Sequence, residues 1–303
     1  MPFASKISFP STVIFMTSLG WTAGAEGASA DEPRKSDNAC CEALGQLVAK
    51  HWLERKPLPL IDTRLSMETA VCARDRFLSL IQPLMGAPLG YKAAAITPPA
   101  QRDLGIKEPL GGIYLAGMFS PANDSPVLVH YGCRPIVEAK LMVAVKDEAI
   151  NQAQSAEEVA RHIAYILPSI ELGDSLVDPQ QRLTAPILVL YNVGARAALN
   201  GPAVPFDGSQ KAIDALNSMI VTTTDASSGR QIDKQSGKEM MGGPLNAVLW
   251  IVRDQNSRGV RLRAGDRLGL GALSRVRPSA GLRLETCWEG ITETPLIVTA
   301  SFA

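Results

Sequence analysis

Val137-Glu138-Ala139-Lys140-Leu141-Met142-Val143-Ala144-Val145 is an apolar run interrupted twice, once by a carboxylate and again, two residues on, by an amine. On a strand, side chains two apart share a face. Glu138 and Lys140 therefore project together, and Val137, Ala139, Leu141 and Val143 project the other way. With apolar neighbours on both faces, the strand belongs in an interior and the charged pair lines a cavity; an exposed ion pair is the alternative. Working outward, short apolar runs bounded by Gly and Pro predict further strands over 112–119, 126–129, 134–145, 186–192, 212–224, 261–270 and 292–302. Leu44, Leu47, Val48 and Trp52 have helical spacing over 41–53. A second helix, 66–81, has Ser66 as its cap and Glu68 in its first turn, and Pro83 closes it. A third, 156–167, turns Glu157, Glu158 and Arg161 to water, and a fourth, 244–253, starts from Pro244, where a missing N–H costs nothing. Many strands with a few interspersed helices make this an α+β chain around a large, mostly antiparallel or mixed sheet.

At 303 residues with 46% hydrophobic content, the chain is long enough for one large domain with a sizeable core. Thirty basic residues offset thirty acidic ones, so no overall field draws nucleic acid or anionic lipid. His51, His130 and His162 are scattered without ligand spacing, and dinucleotide and P-loop glycine patterns are absent. The first thirty residues read as a secretory signal: Lys6 is the only charge before Glu26, 12–25 is mostly apolar or small, and Ala28-Ser29-Ala30 precedes Asp31. The expected organisation is a signal peptide at 1–30, a linker at 31–39 and one domain at 40–303. The product is then exported, periplasmic or secreted; a cytoplasmic protein with an N-terminal extension is the alternative. No later apolar run reaches the ~20 residues of a membrane span. Cys40, Cys41, Cys72, Cys133 and Cys287 are odd in number and match no metal or redox spacing, so no pairing is expected.

Two more segments set a charge among apolar residues. Lys92 follows Gly90-Tyr91 and precedes Ala93-Ala94-Ala95-Ile96, and Glu171 lies between Ile170 and Leu172. Lys92 reads as a solvated edge charge or as a partly buried cation for a carboxylate ligand. Lys92, Glu138, Lys140 and Glu171 are expected to converge on one cavity.

Taken in order, Leu53-Glu54-Arg55-Lys56-Pro57-Leu58-Pro59, Gly90-Tyr91-Lys92, Gln101-Arg102-Asp103-Leu104-Gly105-Ile106, Glu138, Leu167-Pro168-Ser169-Ile170-Glu171, Gly242-Gly243-Pro244-Leu245-Asn246 and Leu262-Arg263-Ala264-Gly265-Asp266 resemble the hydratase/decarboxylase branch of the fumarylacetoacetate hydrolase superfamily. The resemblance covers roughly 41–290. It implies a rolled mixed β-sheet with a barrel-like core and peripheral helices, self-association, and a 2-oxo acid or other small carboxylate as ligand. It also implies a divalent metal held by an E-x-E pair and a later Glu, which polarises the substrate as a Lewis acid. By that likeness Glu138 is the first ligand and Glu171 the third, but Lys140 stands at the second, and an ammonium cannot ligate Mg²⁺. Lys92 matches the family's lysine. Leu110 replaces an acid, Asn192 alone survives from a polar Asp-Asn-Ala-Ser run, and Gly269 stands where serine is common. No cofactor is therefore expected; Mg²⁺ or Mn²⁺ on Glu138 and Glu171 is the alternative. The expected activity is that of a lyase, a hydro-lyase or decarboxylase of the 2-oxopent-4-enoate hydratase kind. Lys92, Glu138, Lys140 and Glu171 are its catalytic group, and Lys92 and Asn192 bind substrate. The alternative is an inactive exported homologue that binds a small carboxylate or acts through oligomerisation.

Overall fold

In the computed structural model, the structure describes residues 32–123 and 125–303, so the signal peptide expected at 1–30 lies outside the described residues. The chain enters through two helices, α1 (Glu32–Glu54) and α2 (Met67–Met85), followed by β1 (Pro88–Ala94), α3 (Pro98–Leu104), β2 (Leu110–Leu115) and β3 (Phe119–Pro121). Two long strands, β4 (Pro135–Val145) and β5 (Ile163–Asp174), flank the single-turn α4 (Ala156–Ala160). Next come α5 (Ala185–Leu190), β6 (Ala197–Asn200), β7 (Val204–Pro205), α6 (Gln210–Ser218), β8 (Ile220–Asp225) and β9 (Arg230–Ser236). The chain closes with α7 (Pro244–Ser257), β10 (Arg267–Ala272), β11 (Arg283–Glu289) and β12 (Leu296–Ser301).

Eight strands form a curled mixed sheet in the order β2-β1-β10-β4-β5-β6-β3, with β7 also on β5. The β1–β10 and β3–β6 pairs are parallel and the rest antiparallel. A smaller antiparallel sheet runs β12-β11-β8-β9. The two faces of β4 serve different interiors, as its alternation requires: Val137, Ala139, Leu141 and Val143 join the core under α7 and the small sheet, whereas Met142, on the face of Glu138 and Lys140, joins the core beneath α1, α2 and α5. Strands buried on both faces read as continuous apolar runs. Pro168 is tolerated inside β5 because it falls between the β6 pairing, which starts at Ser169, and the β7 pairing, which ends at Ile166. No ladder donor is needed there.

Several expected elements change identity. The helix expected over 156–167 is one turn capped by Ser155, and Ile163 to Leu167 belong to β5, where β-branched and aromatic side chains fit the pleat. The strand expected over 186–192 is α5: the Thr184 hydroxyl caps the Ile187 N–H and Pro186 sits in the first turn, while Ile187 and Leu190 are buried. Residues 212–224 divide into the amphipathic α6, capped by Ser209, and β8. Residues 126–129 make only a bridge from Val127 to Phe302, and 261–270 is a strand only from Arg267. Strand β2 stops at Leu115, where a 3₁₀ turn begins. Pro83 lies inside α2, which ends at Met85 with Gly86 in a positive-φ conformation. The stretch expected as a linker at 31–39 is already helical from Glu32.

The absence of cysteine pairing is also corrected. Cys41 of α1 and Cys72 of α2 form a disulfide, with Cα atoms 5.7 Å apart and the two residues 31 positions apart in sequence. Neither partner belongs to a recognisable spacing; the antiparallel packing of two helices brings them together. Cys40, Cys133 and Cys287 are free. Cys41→Ser or Cys72→Ser should lower unfolding stability by about 2–4 kcal/mol through the greater freedom of the unfolded chain. Urea denaturation with and without reductant checks this, and disulfide mapping by mass spectrometry should recover Cys41–Cys72 and not Cys40–Cys72.

Candidate functional site

Strand register builds the site. Glu138 on β4 lies directly opposite Glu171 on β5, and Lys140 lies opposite Ser169, one pleat along on the same face. Two carboxylates paired across strands repel each other, most strongly where water is scarce. Glu171 is fully buried and the Glu138 side chain is 18% exposed. The repulsion is relieved by amines. Lys140 Nζ bonds Glu171 Oε2 and lies 3.5 Å from Glu138 Oε2. Lys92 Nζ bonds Glu171 Oε1 and reaches the Val193 carbonyl at 3.4 Å. Both oxygens of Glu171 are thus held by ammonium groups. The two lysine side chains are 3% and 1% exposed.

Lys92 reaches Glu171 because of its neighbours. Its register partners on both sides are glycines, Gly112 on β2 and Gly269 on β10. A Cβ at Gly112 would press on Val193 and lie 2.9 Å from Lys92 Cγ; one at Gly269 would lie 3.0 Å from the Tyr114 ring. The aliphatic stem occupies that gap, and Nζ sits 5.7 Å from the Tyr114 ring centroid. The serine expected at Gly269 would not leave this room. Asn192, Val193 and Gly194 all have positive φ, an arrangement that turns the Val193 carbonyl toward Lys92. For a β-branched residue this is a strained backbone, and surrounding contacts hold it.

Burial pulls the Lys140 amine down to about 7, with Lys92 adding repulsion, and pulls Lys92 down to about 8. Burial pushes the Glu138 carboxyl up, but Lys140, Lys92 and Arg275 together outweigh it and hold Glu138 below its ordinary range. Lys92, Glu138 and Glu171 line a small open cleft of about 40 Å³, well below the roughly 300–1,000 Å³ of enclosed ligand sites, and Lys140 lies beneath it. Ile136, Leu188 and Val193 supply an apolar wall, and Arg275 stands at the rim.

Four of the expected residues, Lys92, Glu138, Lys140 and Glu171, therefore meet. Asn192 does not join them. Its amide bonds β2, accepting from the Ile113 N–H at 2.8 Å and donating to the Ile113 carbonyl at 2.7 Å, so Asn192, expected to bind substrate, clamps the strand edge in this structure. Sequence reading missed Arg275, whose only signal is its place just after the apolar 268–273. It also missed the Asp174–Arg196 pair behind the cleft. Asp174 accepts from Arg196 Nη1 at 3.0 Å and from the N–H groups of Cys133 and Arg134, while Arg196 stacks on Trp52 of α1 and donates to its carbonyl. A chelated dication does not fit these side chains. Lys140 Nζ fills the position between Glu138 and Glu171, and among the described residues no three His, Cys, Asp or Glu side chains converge.

No family model matches the chain. Among curated proteins it is 24% identical over 241 residues to 2-keto-4-pentenoate hydratase of Paraburkholderia xenovorans (strain LB400), covering 77% of this chain and 84% of that one. It is 25% identical over 259 residues to 2-keto-4-pentenoate hydratase 2 of Dechloromonas aromatica (strain RCB), covering 82% and 94%. The chain is thus similar, at low identity, to proteins named 2-keto-4-pentenoate hydratase. Its fold is similar to that of 4-oxalocrotonate decarboxylase from Pseudomonas putida G7. The TM-score is 0.73 at 16% identity, over 89% of this chain and 98% of that one, for the form complexed with calcium and acetate. The form complexed with magnesium and adipate gives 0.71 at 15% identity, over the same shares of the two chains. The expected α+β fold, with its rolled mixed sheet, is therefore the observed one.

Glu171→Gln should be the most disruptive single change in the cluster. It strips two buried ammonium groups of their shared counter-charge and should cost about 3–5 kcal/mol, the scale for breaking a buried ion pair. Equilibrium denaturation checks this against Glu138→Gln, whose side chain is partly solvated and should cost less.

Proposed function

We propose that the chain is a lyase of the hydratase type acting on a short 2-oxo acid or its enol, with the Lys140 ammonium supplying the positive charge that a dication supplies in the family it resembles. The observation that carries this reading is the position of Lys140 Nζ between Glu138 and Glu171, the two carboxylates that line the cleft. Three carboxylates, one lysine and a dication sum to zero; here two carboxylates and two ammonium groups do the same. Exchanging Glu for Lys at one position changes the local charge by the amount the metal would bring. An oxyanion formed at the 2-oxo group would be stabilised by fixed ammonium groups in a dry site, the setting where such stabilisation is strongest. Lys92 lines the cleft and would meet that oxyanion, with Lys140 directly behind it. Glu138 keeps Oε1 free of hydrogen bonds and is the carboxylate available to move a proton or orient a water.

One observation favours a second reading, a cleft that binds a small carboxylate without turning it over: both oxygens of Glu171 are already held by lysines, so the cluster keeps a single free carboxylate. We also infer export to an oxidising compartment, supported by the Cys41–Cys72 disulfide. Among the described residues no helix is long and apolar enough to cross a membrane.

Purified protein should consume 2-hydroxypenta-2,4-dienoate, followed by loss of dienol absorbance, and should do so equally with and without EDTA. Lys140→Glu should gain a Mg²⁺- or Mn²⁺-dependent thermal shift that the wild type lacks. Tight stoichiometric metal binding by the wild type, with activity abolished by chelation, would overturn the role given to Lys140.

The lysines also set a pH dependence. Their positive charge is present below about 7 for Lys140 and about 8 for Lys92 and is lost as pH rises through those values. Affinity for pyruvate should therefore fall between about pH 6 and pH 9, a range in which ordinary carboxylates do not titrate. Calorimetric titration across that range checks the sign.

A further inference from the structure

Arg275 lines the cleft and has no role in this function. Its side chain is 68% exposed, whereas Lys92 and Glu171 on the floor are 3% and 0% exposed. Its backbone is nevertheless fixed. Val276 and Val137 exchange two 2.8 Å N–H···O bonds, which hold Arg275 beside Glu138 on the neighbouring strand. The nearest carboxylate oxygen, Glu138 Oε1, is 3.7 Å from Nε, and Arg275 makes no side-chain hydrogen bond among the described residues. Its guanidinium therefore keeps its donors for an incoming group, in the planar fork that matches a carboxylate.

Charge arithmetic gives the kind of ligand. Around the cleft, Lys92, Lys140 and Arg275 face Glu138 and Glu171, and Asp174 is matched separately by Arg196. With the amines protonated, three positive charges meet two negative ones, and the single excess charge lies at the rim. The rest of the lining mixes the apolar Ile136, Leu188 and Val193 with the hydroxyl-bearing Ser175 and Tyr191.

We propose that Arg275 is the carboxylate anchor of this cleft and that it restricts the ligand to short monocarboxylic 2-oxo acids with an apolar tail. The proposal deepens the 2-oxo-acid reading and rests on it. The ligand carboxylate forks onto Arg275, its 2-oxo group points down toward Lys92, and its tail lies along Ile136, Leu188 and Val193. A second carboxylate would find no free cation and would lie against apolar side chains, where an unpaired charge is strongly disfavoured.

The test is calorimetric titration of wild type, Arg275→Gln and Arg275→Lys with 2-oxopentanoate, its uncharged amide, 2-oxoadipate and adipate. The Arg275 side chain is largely exposed, so circular dichroism and thermal melts should be little changed in both variants. Wild type should prefer 2-oxopentanoate to either diacid by at least about tenfold, the scale of a charge-assisted bidentate contact. Arg275→Gln should lose about the same factor for 2-oxopentanoate and nothing for the amide, and Arg275→Lys should recover only part of the loss. If 2-oxopentanoate binds wild type and Arg275→Gln alike, or if a diacid binds wild type as well as the monoacid does, the anchor is overturned while the 2-oxo-acid reading stands. If no 2-oxo acid binds wild type at all, both are overturned.

Discussion

Glu138 and Glu171 face each other across β4 and β5 with little water to separate their charges, and the rest of the site is the answer to that repulsion. A fully buried carboxylate would ordinarily take up a proton. Here each oxygen of Glu171 is met by an ammonium group, one from β4 and one from β1, three strands away from β5. The lysines are as dependent on the carboxylates as the carboxylates are on them, because a buried amine without a partner gives up its proton. The cluster is therefore one unit held together by mutual neutralisation. Its geometry depends on a register that a one-residue slip would turn inside out.

The protein around the cluster keeps it dry and in place. Glycines on both sides of Lys92 clear a channel for its stem, and the left-handed turn at Asn192, Val193 and Gly194 brings a carbonyl to its amine. Asn192 holds that turn to the edge of β2. Behind the cleft, Asp174 and Arg196 link the end of β5 to Trp52, so the helical layer closed by the Cys41–Cys72 disulfide also bears on the wall of the site. Polar groups this deep are tolerated because nearly every donor and acceptor has a partner; the Tyr114 hydroxyl, buried beside Lys92, is an exception.

The contrast with the metal-dependent pattern that the chain resembles is one of charge placement. A dication concentrates two charges at a point and takes its ligands from any oxygen nearby. Two ammonium groups spread the same charge over two stems, each with a fixed strand origin and a limited set of hydrogen-bond directions. Under the function proposed for it, such a site would recognise an anion by position more than by chelation, which gives weight to a rim guanidinium that a chelated substrate would need less.

Much of this was legible in the chain. Alternation along 137–145 placed Glu138 and Lys140 on one face because strand geometry has a period of two, and apolar flanks marked both Glu171 and Lys92 as interior charges. The ordered set of segments pointed to the fold. Local reading failed where tertiary contacts override propensity. Residues 163–167 became strand because β4 offered a partner, and 185–190 became helix because Thr184 and Pro186 start a turn that buries Ile187 and Leu190. The Cys41–Cys72 bond, the clamp made by Asn192 and the place of Arg275 at the rim join residues 31, 79 and 137 positions apart, the last counted from Arg275 to Glu138. No periodicity carries information over such distances. The sequence by itself determined which charges are interior; only the tertiary structure decided which of them meet, because that depends on strand order and register in a sheet assembled from the whole chain.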